Sequence, residues 1–114
     1  MDVPTEVFRA IADPTRRAIL AQLSAGSRPA GDIAASFAVS RPAVSRHLKI
    51  LRDADLVTER RHGNYRIYEL NPASLRTIDG WLEAFRPFWR HTLLRLKAHA
   101  EKREAARGKP KRVP

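Results

Sequence analysis

The hydrophobic pattern changes period at Ala54, from the roughly 3.6 residues of a helix to the roughly 2 residues of a strand, and this switch sets the narrowest limits on the fold. Ahead of it, Ser40 to Leu51 reads Ser-Arg-Pro-Ala-Val-Ser-Arg-His-Leu-Lys-Ile-Leu. At about 100° per residue, Ala43, Val44, His47, Leu48, Ile50, Leu51 and Ala54 fall in one arc, and Arg41, Pro42, Ser45, Arg46, Lys49, Arg52 and Asp53 fill the other. One side must therefore pack on other helices. The other offers guanidinium, ammonium and hydroxyl groups, the chemistry that suits phosphates and base edges. Behind the switch, Leu56 to Arg61 and Tyr65 to Leu70 are two β-prone runs around His62-Gly63-Asn64, a hairpin with glycine at its turn. Arg60, Arg61, His62, Asn64 and Arg66 sit on its strands and tip.

The segments on either side complete the pattern. Thr5 to Ala12 reads as a short helix with Val7, Phe8 and Ile11 on one side. Asp13 caps a second helix that begins at Pro14, buries Ala18, Ile19, Leu20 and Leu23, and closes at Gly26. A third helix, Ala30 to Phe37, turns Ile33, Ala34 and Phe37 inward, and Ala38-Val39-Ser40 is a short turn that places Ser40 as the N-cap of the basic helix. Two short helices joined by such a turn, the second basic and amphipathic, form a helix-turn-helix; a basic hairpin directly behind them makes a winged helix. Asn71-Pro72 opens a last helical region reaching about Ala106, where Pro87 removes the bond back to Glu83 and kinks or splits the helix. Leu75, Ile78, Trp81, Leu82, Phe85, Phe88, Trp89, Leu93 and Leu96 share one side of that region. The expected fold is mostly α with a small β-hairpin, in the order α-α-α-α-β-β-α. Residues 1–102 form one domain, and 103–114 a basic, disordered tail with nothing to bury.

Charge narrows the partners. The net charge of +10 favours a polyanion, nucleic acid or an anionic membrane surface. Residues 41–70 hold seven basic and four acidic groups, whereas 86–114 hold ten and two, so most of the surplus lies behind the hairpin. The absence of cysteine excludes disulfides, thiol nucleophiles and thiolate metal sites. The N-terminus mixes acids among its apolar residues and lacks the apolar run of a signal peptide, and no stretch approaches the roughly 18 apolar residues of a membrane span. A cytoplasmic protein is expected. No nucleophile constellation, carboxylate pair or glycine-rich phosphate loop is present, and the four histidines do not cluster, His91 and His99 being eight residues apart and forming no local chelate, so neither an enzyme nor a cofactor is expected.

Ala12-Asp13-Pro14-Thr15-Arg16-Arg17 with Ile19-Leu20, then Ser40 with Ser45-Arg46-His47-Leu48-Lys49 and Leu51, then Leu56-Val57 and Arg61-His62-Gly63, resemble the ArsR-type winged-helix repressors of bacteria. The likeness covers about residues 5–100. It implies a homodimer that binds double-stranded DNA at an imperfect palindrome, represses transcription, and dimerises through its first and last helices. Carried over residue by residue, it implies DNA contacts from Ser40, Arg41, Ser45, Arg46 and Lys49 on the helix and Arg61, His62 and Asn64 on the wing; Arg60 and Arg66 are further phosphate candidates from the wing's charge. On the same grounds Val7, Phe8, Ile11, Ile78, Trp81, Leu82, Phe85, Phe88, Trp89, Leu93 and Leu96 would form the dimer interface. Two positions depart from the family: Asp55 stands where glycine is usual, so the exit of the basic helix is expected to differ slightly, and Pro87 interrupts the dimer helix. The family's carboxylate and histidine metal site is incomplete as well. Asp79-Gly80-Trp81 and His91-Thr92-Leu93-Leu94 each lack a ligand, so no metal is expected.

Bland readings compete with several of these assignments. His47 lies in the middle of the apolar arc, which favours a packed ring bonded to a backbone carbonyl over a base contact. Arg16 and Arg17 are either phosphate contacts or cover for the second helix. The aromatic stripe reads as dimer core ahead of ligand pocket, and whether an effector acts is left open. Two other functions fit the same pattern: a non-specific architectural DNA-binding protein driven by charge, and a winged helix that docks a protein.

Overall fold

The computed structural model describes residues 2–106. Its elements are α1 (Thr5–Ile11), α2 (Pro14–Leu23), β1 (Arg28–Pro29), α3 (Ala30–Ala35), α4 (Arg41–Asp53), β2 (Val57–His62), β3 (Tyr65–Leu70), α5 (Pro72–Glu83) and α6 (Arg86–Ala106). The chain divides between Asp79 and Gly80 into two compact units.

In the first unit, short polar side chains fix where the helices begin. Asp13 Oδ2 accepts from the Arg16 backbone N–H at 3.0 Å, satisfying a free donor of α2. That hydrogen bond, more than the nearby positive charges, holds the Asp13 carboxyl below the usual carboxylate range. Ser40 Oγ does the same for α4 by accepting from Ala43 N–H at 3.2 Å. Sequence patterning predicts two strands, and the sheet has three. β1 pairs antiparallel with β3, Arg28 opposite Tyr68 and Pro29 opposite Ile67, giving the order β1-β3-β2. A two-residue strand shows no alternation to read, and its proline is tolerated because β1 is an edge. Between β2 and β3 the register runs from Val57↔Leu70 to His62↔Tyr65, which leaves Gly63-Asn64 as a two-residue turn. Gly63 takes φ 65° there, in the first turn position, where a mirror-image hairpin turn needs glycine. The result is a winged helix-turn-helix, with α3 ending at Ala35, short of the expected Phe37.

All the fully buried apolar side chains among the described residues lie in this unit, from Val7 and Ala10 of α1 through Ile19, Ile33, Val44, Leu48 and Leu51 to Leu56, Val57 and Tyr68. Val7 is 4% exposed, and Ile11 and Ile78 pack against the same core. Val7 is therefore corrected from the expected dimer interface, its apolar surface being taken up by its own chain, whereas Ile11 and Ile78 are only partly buried.

The exit of α4 is a left-handed cap. Leu56 N–H donates to the Leu51 carbonyl at 3.0 Å and Asp55 N–H to the Arg52 carbonyl at 2.9 Å, the paired bonds of a Schellman motif, with Leu51 and Leu56 both buried beneath. Asp55 adopts φ 61°, the conformation glycine would take, so the expected deviation of the helix exit does not arise. What remains is strain, about 1 kcal/mol for a side chain in the left-handed region. Asp55→Gly is expected to raise stability by about that amount and the melting temperature by roughly 4–8 °C. An unchanged or lower melting temperature would show that the aspartate side chain compensates.

In the second unit, the helical region splits ahead of Pro87. Ala84 N–H and Phe85 N–H bond back only three residues, to Trp81 and Leu82, and a new helix starts at Arg86, with Trp89 N–H donating to the Phe85 carbonyl at 2.9 Å. Pro87 thus sits in the first turn of α6, where no backbone donor is needed. α6 continues to Ala106, four residues into the segment expected to be unstructured; residues 107–114 lie outside the described residues. Trp81 and Phe85 meet edge to face with ring centroids 5.0 Å apart, yet no residue of α5 or α6 is fully buried.

Candidate nucleic-acid interface

α4 and the β2–β3 wing carry the polar groups that the sequence singles out. The alternation of a strand puts Glu59 and Arg61 on one face of β2, opposite Tyr68 and Arg66 of β3, and Arg60 on the other face. Along α4, Val44, Leu48 and Leu51 are buried while Arg41, Ser45, Arg46 and Lys49 are exposed.

The cations of this surface divide into two sets. Lys49 Nζ is 2.8 Å from Asp53 Oδ2, one turn along α4, and this hydrogen bond lowers the Asp53 carboxyl below its ordinary range. Arg60 Nε lies 3.8 Å from Glu69, and Arg66 Nε 3.1 Å from Glu59. Arg52, outside the expected contacts, bonds Glu59 through Nη1, which raises its already high pKa. By contrast, the side chains of Arg41, Arg46 and Arg61 have no hydrogen bond or ion pair among the described residues, and the same holds for those of Ser45, His62 and Asn64. The hydroxyl of Ser40 accepts in the α4 cap, which fixes its place at the helix N-terminus.

Arg61 and Arg66 stand directly opposite each other across the wing. Like charges so placed repel, and of the two only Arg66 has an ion-pair partner among the described residues, Glu59. A surface built this way is complementary to a polyanion. Tyr65, 63% exposed and opposite His62 at the wing tip, adds an aromatic ring that sequence reasoning passed over. Its position at the end of a hairpin, where nothing packs over it, was the available signal.

The arginines of α2 are both engaged within the chain. Arg16 donates from Nε to the Ala10 carbonyl at 2.7 Å and from Nη2 to the Arg9 carbonyl at 3.1 Å; Arg17 Nη1 donates to Ile11 and Ala12 at 2.8 and 3.0 Å. Both side chains cap the C-terminal carbonyls of α1. His47 is packed on the inner side of α4, but its Nδ1 meets Arg16 Nη1 at 3.2 Å, with Asp13 Oδ2 at 4.0 Å, and not the backbone carbonyl expected of it. With a guanidinium as donor, Nδ1 is the acceptor and the proton of a neutral ring sits on Nε2. Among the described residues no three His, Asp or Glu side chains come together as a metal site, and no helix is long and apolar enough to cross a membrane.

Comparisons with known proteins agree with this geometry. Residues 11–60 match the helix-turn-helix domain family. The chain is 44% identical over 79 residues to the transcriptional repressor SdpR of Bacillus subtilis, covering 69% of this chain and 88% of that protein. It is 42% identical over 73 residues to the arsenical resistance operon repressor of Staphylococcus xylosus, covering 64% and 70%. Among solved structures, an ArsR-like transcriptional regulator from Rhodococcus sp. RHA1 superposes with a TM-score of 0.65 at 31% identity, covering 84% of this chain and 91% of that one.

Proposed function

Because the chain belongs to the ArsR family of winged helix-turn-helix transcriptional regulators, we propose that it acts in the cytoplasm as a homodimeric repressor that binds a near-palindromic operator. In this reading α4 of each protomer enters the major groove, and the two copies reach successive grooves about 34–36 Å apart. Arg46 and Ser45 read base edges, Arg41 and Arg61 hold phosphates, and His62 and Asn64 follow the backbone at the wing tip. The observation that carries the proposal is the set of unpaired cations, Arg41, Arg46 and Arg61, on the two elements that a winged helix lays against DNA.

The exposed apolar side chains of the second unit support the dimer. Phe88 and Trp89 are 65% and 54% exposed, and Leu93 and Leu96 are comparably open. A standard interface buries about 800 Å² per partner, and side chains of this kind supply it. Phe8, Trp81, Leu82 and Phe85, also exposed, keep their place in the proposed contact.

Selection from a random duplex pool at moderate salt, with the solution mass measured alongside, tests both parts. Enrichment of a near-palindrome bound by a dimer is expected. Uniform, salt-sensitive binding without enrichment would turn the reading to an architectural protein, and a monomer that binds no duplex would turn it to a protein-docking module.

A further inference from the structure

We propose that Glu59 is the positioning residue of the DNA-binding surface: its carboxylate joins α4 to the wing and withholds Arg52 and Arg66 from indiscriminate phosphate contact. The inference rests on the reading that α4 and the wing face DNA. Glu59 is the third residue of β2, at the base of the wing, and its side chain is 18% exposed, the most enclosed of the carboxylates paired to these cations. One oxygen accepts from Arg52 Nη1 on α4 and the other forms an ion pair with Arg66 Nε of β3 at 3.1 Å, so a single group bridges the reading helix and the far strand of the hairpin. Tyr68 lies beneath it, 3% exposed; burial first, and the Glu59 charge second, push its hydroxyl pKa up.

Removing this carboxylate has two consequences. The tie between α4 and the wing is lost, so the spacing between base-reading and phosphate-holding groups is no longer fixed. Arg66, opposite Arg61, also loses its counter-charge and becomes available to any phosphate in reach, while Arg52 loses its hydrogen-bonded partner and keeps the Asp53 carboxylate, 3.9 Å from its Nε. Each newly engaged phosphate steepens the dependence of log K on log salt by about 0.9. A purely structural role for Glu59 predicts weaker binding and no such steepening.

The test compares the full chain with Glu59→Gln on two probes, a duplex enriched by selection and a random-sequence duplex, across a salt series. Expected are binding of the random duplex about tenfold tighter, a salt slope steeper by about one to two, and a selected-to-random ratio about tenfold lower. Adding Arg66→Gln to Glu59→Gln should bring the slope back toward that of the parent. An unchanged slope, or equal weakening on both probes, would overturn the proposal. Arg66→Gln alone keeps the question answerable if Glu59→Gln does not fold: its salt slope should match the parent, and a slope shallower by about one would show Arg66 already on a phosphate and overturn the assignment. Arg46→Ala and Arg61→Ala separate the two levels. If both leave binding unchanged, the interface itself is misplaced and the proposal falls with it; if they weaken binding and Glu59→Gln does nothing, the role given to Glu59 alone is wrong.

Discussion

Arg46→Ala is expected to flatten the sequence preference of this chain, reducing discrimination between its selected duplex and a mismatched one by about 5- to 150-fold, the 1–3 kcal/mol that a bidentate arginine contact to a base supplies. Arg46 lies in the second turn of α4, is exposed, and has no partner among the described residues, so neither folding nor an internal ion pair claims its guanidinium. Arg61→Ala should behave differently. On the wing, in front of the Glu59 bridge and facing Arg66, it is placed for a phosphate, so its loss should weaken all duplexes alike and reduce the salt slope by about one. Quantitative binding to both duplexes at several salt concentrations distinguishes the two. Identical behaviour of the two variants would sink this division of labour.

Leu51→Ala is expected to cost about 3 kcal/mol, within the usual range for emptying a fully buried leucine site. Leu51 is 0% exposed, contributes to the core from the last turns of α4, and gives its carbonyl to Leu56 N–H in the cap that launches β2. Both the cavity and the loosened cap act on the same junction between reading helix and wing. Since small domains hold only about 5–15 kcal/mol in total, the melting temperature should fall by roughly 12–24 °C, and DNA binding near that temperature should fall with it. Leu93→Ala offers the contrast. Leu93 is 59% exposed on α6, so the substitution should leave the first unit intact and instead weaken the dimer, giving a loss of DNA affinity that depends on protein concentration. A concentration-independent loss in Leu93→Ala, or a shift under about 0.5 kcal/mol in Leu51→Ala, would contradict the assignment of these two leucines to partner and core.

Much of this architecture was legible because its signals are local. The caps by Asp13 and Ser40, the inward stripe of Val44, Leu48 and Leu51, and the glycine turn at Gly63 each depend on residues a few positions apart, where one hydrogen bond or one helical period decides the outcome. The break before Pro87 belongs with them, since a missing N–H is a property of the residue. β1 was not legible: two residues have no periodicity, and Arg28 and Pro29 become a strand only because β3, about forty residues on, offers them an edge.

The candidate site shows the same division more sharply. Residue type and period are enough to place Arg41, Ser45, Arg46 and Lys49 on one side of a helix and Arg60, Arg61 and Arg66 on a hairpin, because side-chain direction follows from the local backbone. They cannot say which of those cations is free. That depends on carboxylates brought near by folding: Glu59 reaches both Arg52, on another element, and Arg66 across the strand pair, and Arg16 spends its guanidinium on Arg9, Ala10 and His47. It also depends on how much apolar surface the core consumes, which removed Val7 from the outer face, took up part of Ile11 and Ile78, and left Phe88 and Trp89 on it. Charge pairing and burial are set by distances in space, and those exist only once strands and helices from distant parts of the chain have packed together.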